Sequence, residues 1–299
     1  MTRRNTPRIS FIGFGEAGQA IASGLREGGI EQVAAWDILF PAPEGARLKA
    51  AGDKMGVRLA TSAADAVAET DMVSAAGTAA SSLEAAQSVA PHLKGNPYYL
   101  DINSVSPGRK QATEKLLGGK ARYVDVAVIA PIHPKRHRTP LLIAGPYAEG
   151  IAPLLAEMEM TLKVVPGETG KAAAIKMIRS VMIKGLEALT LECFLAAERA
   201  GLVAEVAASM QNNYPTLDFG HMADYNIERM ASHGERRAAE MEESCITLRE
   251  LGIDPAMTEG TVVRQREMGR IGKVEAVRST LDDGHDAMLK AISAAKDNA

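Results

Sequence analysis

The chain has 299 residues, long enough for two domains or one large one, and its 46% apolar and 24% charged content is that of an ordinary soluble globular protein. A net charge of −3 gives no electrostatic reason for a nucleic acid or an anionic membrane as partner, and no run approaches a membrane span. The two cysteines, Cys193 and Cys245, show no metal-type spacing and imply no disulfide framework, which points to a reducing, cytoplasmic setting and to no bound metal. Although Met1 to Arg8 carries three arginines, the apolar run behind it lacks the length of a signal core.

The first apolar strand, Ile9 to Ile12, runs into Gly13-Phe14-Gly15-Glu16-Ala17-Gly18, a G-x-G-x-x-G turn followed by a helical stretch, Gln19 to Leu25. Gly13 permits the tight turn, Gly15 lets the backbone approach a pyrophosphate, and Gly18 lets the helix pack closely on the sheet. The pyrophosphate is then expected at the helix N-terminus, where unpaired N–H groups favour anions. A second buried strand, Val33 to Asp37, ends on a carboxylate 19 residues beyond Gly18, the spacing of a group that accepts from an adenosine ribose. A carboxylate there repels a 2′-phosphate, so NAD is expected over NADP.

Further strands are predicted at Val57 to Ala60, Met72 to Ala76, Tyr98 to Ile102, Tyr123 to Ile129, Leu141 to Ala144 and Leu162 to Val165. Helical patterns fall between the earlier ones, including Ser62 to Glu69, with Ser62 as N-cap, and Ala79 to Ala90. This alternation predicts a Rossmann-type doubly wound α/β domain, and the short later connections allow part of the sheet to be antiparallel. Gly77 and Thr78, after the strand from Met72, join the glycine turn and Asp37 as cofactor-binding candidates.

Strand signals vanish after Gly167. Helices are predicted at Lys171 to Ala200, Val203 to Asn212, Ala223 to Leu251, Pro255 to Gly269 and Ser279 to Lys296, so the chain is divided into a nucleotide domain, 1–167, and an all-helical domain, 168–299. Ligands of doubly wound sheets bind beyond the carboxyl ends of the strands, which puts the expected substrate site in the cleft between the halves. On the long helix Lys176, Ser180, Lys184 and Glu187 share one arc, with Arg179 at its edge, while Ile178, Met182, Leu186 and Leu189 point the other way. The arc is either a solvated face or a catalytic stripe. A lysine confined in an apolar cleft can titrate near about 7–8 rather than about 10.4 and so exchange protons at neutral pH, which singles out Lys176.

These residues carry a resemblance. The chain resembles the β-hydroxyacid dehydrogenases, the group that includes 6-phosphogluconate and 3-hydroxyisobutyrate dehydrogenases, over both halves. Gly13 to Gly18 occupies the family's dinucleotide signature, with Ala17 where methionine is usual. Asp101-Ile102-Asn103-Ser104-Val105-Ser106-Pro107 is similar to the segment that brings a hydroxyl near the nicotinamide, with Asn103 replacing a serine. Gly167 to Lys176 matches the run that introduces the family's catalytic lysine. The resemblance implies Lys176 as general acid and base, Ser104 and Ser180 as orienting hydroxyls, and Asn103 as a further cofactor contact. It also implies a homodimer or higher oligomer built through the helical domain.

Two departures bear on the substrate. The family's carboxylate cradle aligns with Asp125 to Pro131, which has lost its serine and both glycines, and Ser180 stands where the family has asparagine. The small-molecule substrate therefore differs, and His133, Arg179 and Arg236 are its candidate contacts. His133 lies in the basic run Ile132 to Arg138, read either as a solvated turn or as an anion clamp replacing the cradle. The run Arg229 to Glu243 is similar to a motif in an uncharacterised branch of the superfamily. There His233, Arg236 or Arg237, and Glu240 share a helix side, either as surface ion pairs or with an arginine reaching a neighbouring site. The expected activity is reversible hydride transfer between a nicotinamide and a hydroxyl-bearing substrate. Imine reduction and NAD binding without turnover are the alternatives.

Overall fold

The computed structural model describes residues 6–297, so most of the basic start Met1 to Arg8 lies outside the described residues. Eight strands form one sheet: β1 Ile9–Ile12, β2 Val33–Trp36, β3 Arg58–Leu59, β4 Met72–Ala75, β5 Tyr98–Asp101, β6 Arg122–Val128, β7 Leu141–Ala144 and β8 Leu162–Val164. Their order is β3-β2-β1-β4-β5-β6-β7-β8, and every pair is parallel except β6 with β7. The order reverses at β1, which is where a doubly wound sheet opens a crevice for a ligand.

Strands that run parallel in the sheet are connected by α1 Glu16–Glu27, α2 Ala46–Met55, α3 Ala63–Val67, α4 Ser82–Val89, α5 Pro107–Leu117 and α6 Ala148–Glu157, of which α3 carries the chain from the edge strand β3 to β4 beside β1. Ser62 caps α3 as expected, accepting from the Asp65 amide. Between β6 and β7 there is only a short helical turn at Arg136–Arg138, too little for the crossover that a parallel return needs, so β7 runs back. Residues on successive strand positions go to opposite faces: Phe11, Val124 and Val126 pack with Ile21, Leu25, Ile151 and Leu155, whereas Ile12 and Tyr123 pack with Val67, Ala86, Val89 and Leu117. With helices on both faces, β1, β4 and β7 are buried along their whole length.

The rest of the chain is helical: α7 Lys171–Ala200, α8 Val203–Asn213, α9 Phe219–Glu250, α10 Ala256–Ile271, α11 Glu275–Arg278 and α12 His285–Asp297. Left-handed glycines flank α7, Gly170 at φ +101° and Gly201 at φ +70°, and set its bounds. The helix expected from Ser279 begins only at His285, as α12, because Gly284 takes φ +85° ahead of it, and the short α11 ends at Arg278. The described residues divide into two compact units, the first ending at Lys176 and the second beginning at Met177, both within α7. The reason is local: Ala172 packs with Ala127, Leu142 and Ala144 of the sheet, which makes the first turn of α7 part of the first unit.

The second unit has its own core of Leu191, Phe194, Ile227, Met230, Met268, Leu289 and Ile292. Its tightest contact joins α9 to α10. A Cβ on Gly234 would stand 2.2 Å from the Gln265 carbonyl oxygen, and one on Gly272 would stand 2.1 Å from that of Ala231. The two helix backbones touch there.

Candidate active site

The glycine turn joins β1 to α1 at the carboxyl edge of the sheet. Gly13 has φ +90°, and a Cβ on it would lie 2.7 Å from the Ala76 carbonyl oxygen and the Gly77 amide; one on Gly18 would lie 2.7 Å from the Gly13 carbonyl oxygen. Those two glycines are required by the protein itself. Gly15 differs: a Cβ there would meet nothing within 4 Å, and Gly15 N-caps α1 with no side-chain partner for the first-turn amides. Open space over an uncapped helix N-terminus fits the pyrophosphate of a dinucleotide.

Asp37 is tied to this corner. Its Oδ2 accepts from the Phe14 amide at 2.7 Å and its Oδ1 from the Leu39 amide at 3.0 Å. Each carboxylate oxygen keeps a second lone pair for a hydroxyl donor. Gly77 and Thr78 are exposed at the end of β4 beside Gly13, with the Thr78 hydroxyl 2.8 Å from that of Ser81.

At the end of β5 the structure brings together two of the candidate residues, Ser104 and Lys176. Lys176 Nζ, on α7, donates to Ser104 Oγ at 2.5 Å, and both side chains are partly buried. Asn103 turns inward: its amide and its Nδ2 donate to Asp101 Oδ1 at 3.0 and 2.7 Å, while its own Oδ1 is buried with no hydrogen-bond partner.

Beneath the pair lies a buried polar cluster absent from the sequence-based candidates. Lys110 Nζ, on α5, sits 2.5 Å from the Asp101 carbonyl oxygen, 3.3 Å from Asp101 Oδ1, 3.7 Å from Asp125 Oδ1 and 3.4 Å from the Val126 carbonyl oxygen. Tyr123 donates to Asp101 Oδ2 at 2.7 Å, and Asp125 Oδ2 accepts from the amides of Gly170 and Ala173, each at 3.1 Å. Burial pushes the Asp125 carboxyl above its usual range, against the pull of Lys110 and of those two amides. An aspartate in the middle of an apolar strand such as Arg122–Val128 is the signal that could have found this cluster, since a buried carboxylate demands a partner.

In the second unit the long helix is polar inside and apolar outside. Ser180, Lys184 and Glu187 are buried, whereas Ile178, Met182, Leu186 and Leu189 are exposed, Met182 to 65%. Of the two readings of the polar arc, a solvated face does not hold for Ser180, Lys184 and Glu187. Arg237, on α9, grips Glu187 through Nε at 3.1 Å and through Nη2, and Gln265 of α10 adds a donor at 2.8 Å. Lys184 Nζ lies 3.0 Å from Glu240 Oε2 and donates to Ser180 Oγ at 3.1 Å. Arg236 is exposed and pairs with Glu240 along the helix at 3.3 Å, and Arg179 is exposed on α7. The run from Arg229 thus splits: Arg236 is a surface ion pair, and Arg237 is an interhelical clamp.

The basic loop is not brought to Ser104 and Lys176 by any described contact. His133 is exposed and lines a surface cavity of about 540 Å³ with Glu16, Gln19, Ser23, Glu44 and Arg136. Arg136 pairs with Glu27 and Arg138 with Glu159, so both guanidinium groups already hold carboxylates. His137 is buried against Gly24, where a Cβ would stand 2.0 Å from Nδ1, and neither ring nitrogen has a hydrogen-bond partner. Burial, then the neighbouring Arg138, lowers its pKa below the ordinary histidine value.

Residues 8–102 match a family described as NADP oxidoreductase coenzyme F420-dependent, and residues 197–268 match a domain of unknown function, DUF1932. A conserved hypothetical protein from Sinorhizobium meliloti 1021 is 34% identical, with 97% of each chain covered and a TM-score of 0.77. The conserved protein MTH1747, of unknown function and with structural similarity to 3-hydroxyacid dehydrogenases, is 30% identical over 88% of this chain and 97% of its own, with a TM-score of 0.70. Fold likeness alone extends to 3-hydroxyisobutyrate dehydrogenase of Mycobacterium tuberculosis, 16% identical with 97% and 99% covered and a TM-score of 0.69. It extends also to an imine reductase variant of Myxococcus stipitatus in complex with NAD+, 19% identical with 96% and 99% covered and a TM-score of 0.58.

Proposed function

The chain belongs to the 3-hydroxyacid dehydrogenase-like family with a divergent C-terminal domain, and on that premise we propose that it catalyses reversible hydride transfer between a nicotinamide and a hydroxyl-bearing substrate. The observation that carries the reading is the 2.5 Å hydrogen bond from Lys176 Nζ to Ser104 Oγ at the carboxyl end of β5. Lys176 takes the alcohol proton in oxidation and returns it to the carbonyl oxygen in reduction. Ser104 orients that oxygen, because its hydroxyl accepts from Lys176 Nζ and keeps its own O–H to donate. The bound nicotinamide supplies the hydride acceptor and donor.

Gly15 and the amides of Glu16, Ala17 and Gly18 would hold the pyrophosphate, with Phe14 backing the turn, Asp37 taking the ribose hydroxyls, and Gly77, Thr78 and Asn103 bordering the nucleotide. The carboxylate of Asp37 supports NAD over NADP. Reduction of a C=N bond is the second reading, because the strand end Ala127 to Pro131 lacks the hydroxyl and glycine amides that would wrap a carboxylate, and an imine needs none. Binding of NADH without turnover of any alcohol, hydroxy acid or cyclic imine would instead leave a nucleotide-binding protein.

The test is a fluorescence titration with NADH followed by that substrate screen. Lys176→Ala is expected to cut turnover by about 10²–10⁴-fold with NADH affinity nearly intact, and an unchanged rate removes Lys176 from the mechanism. The proposal extends to a homodimer or higher oligomer, supported by the exposed apolar row Ile178, Met182, Leu186 and Leu189. Sedimentation showing only a 31.7 kDa species would refute that part.

A further inference from the structure

Among the described residues the most heavily committed charged group outside the reacting pair is Lys110, which is fully buried and touches both neighbouring strands, β5 through Asp101 and β6 through Asp125 and Val126. A lone counter-ion would need one carboxylate. Lys110 has two, and each holds a different backbone segment. Asp101 takes the amide and Nδ2 of Asn103, which sets the turn that presents Ser104. Asp125 takes the amides of Gly170 and Ala173, which anchors the first turn of α7, and Lys176 follows Ala173 by three residues, or about 4.5 Å of helix. A neighbouring contact runs the same way, since Gln111 Nε2 donates to the Thr169 carbonyl oxygen at 3.2 Å.

We propose that Lys110 is a positioning residue: by bridging Asp101 and Asp125 it locks the Ser104 turn to the first turn of α7 and so maintains the hydrogen bond between Lys176 and Ser104. Its importance for catalysis rests on the reading of those two residues as the reacting pair, but its effect on their geometry does not. Two carboxylates and one ammonium leave the cluster with one excess negative charge when all three are ionised, and Asn103 and Tyr123 donate to the two oxygens of Asp101 and the two α7 amides to Asp125 Oδ2, which offsets the cost of burying it. Cutting the bridge leaves the strands in place and frees the two arms to drift apart.

The experiment reads the side chain of Lys176 and needs no substrate. Trace acetylation at fixed pH, followed by peptide mass spectrometry, gives the labelling rate of Lys176 relative to the exposed Lys94 in the same sample. Asp125→Asn, nearly isosteric, turns an amide toward the ammonium; Lys110→Met combined with Asp125→Asn removes the bridge altogether. In either variant, with its circular dichroism spectrum unchanged, the Lys176 to Lys94 ratio is expected to rise roughly tenfold, the rate equivalent of one hydrogen bond made by an ionised group. A folded variant with an unchanged ratio overturns the proposal.

Wild-type protein supplies a second readout should a substitution prevent folding. Under native-state hydrogen exchange the amides of Asn103, Gly170 and Ala173 are expected to open in one cooperative event, and separate openings overturn the proposal. Loss of effect in Lys176→Ala would sink the proposed reaction and leave this lock standing, whereas an unmoved labelling ratio would do the reverse.

Discussion

Arg237→Ala isolates the charge clamp of the helical unit. The Glu187 side chain is 1% exposed and receives two donors from Arg237 and one from Gln265. Truncation strips both guanidinium bonds and leaves an anion in the interior facing one neutral amide. Breaking a buried pair from one side costs about 3–5 kcal/mol, which for a fold of this size lowers the melting temperature by roughly 6–20 °C. Replacing the whole triad, Glu187→Met with Arg237→Met and Gln265→Leu, strands no polar group and is expected to recover stability to within about 1 kcal/mol of the native protein. Urea unfolding followed by circular dichroism, run on the single and combined variants, measures the coupling directly. A loss below about 1 kcal/mol in Arg237→Ala would refute the clamp, because the Glu187 charge would then be held by something else.

The glycine turn separates folding from binding. Gly13→Ala is expected to cost about 1–3 kcal/mol in thermal unfolding, whereas Gly15→Ala should leave stability within about 0.5 kcal/mol and weaken NADH at least roughly tenfold; full affinity in Gly15→Ala would take the pyrophosphate away from this loop. His137 predicts a pH dependence with a definite sign. Its pKa is lowered from 6.5 in the folded chain, so the unfolded chain binds the extra proton and stability falls as pH drops below that value. The added slope is at most about 1.4 kcal/mol per pH unit and should vanish in His137→Leu, and an identical slope in that variant would exclude the residue.

The strands and the bounds of α7 were legible because each rests on local signals: apolar runs between helical stretches, and glycines on either side of Lys171–Ala200. Gly13, Gly18 and Asp37 were legible for the same reason, since the turn and the strand end that carry them are neighbours in the chain. The polar arc of α7 was not. A period of 3.6 residues tells which side chains share a face and says nothing of which face turns inward. Here Glu187 is satisfied by Arg237 and Gln265, 50 and 78 positions away, which no local pattern records. Lys110 escaped notice likewise, as its partners arrive from two strands, and the basic loop was noticed without its partners, since Arg136 and Arg138 find Glu27 and Glu159 at long range.

The contact of Gly234 with α10, and of Gly272 with Ala231, ties helix length to helix pairing. Each residue added to an α-helix turns everything beyond it by about 100°. A single insertion between Ala231 and Gly234, or between Gly269 and Gly272, would swing one notch out of line with its mate and drive a backbone into a side chain. Growth or shrinkage of this part of the chain is therefore confined to the five-residue link Leu251 to Pro255, which is also the place where a tag or a fluorophore loop can enter without parting the two rods.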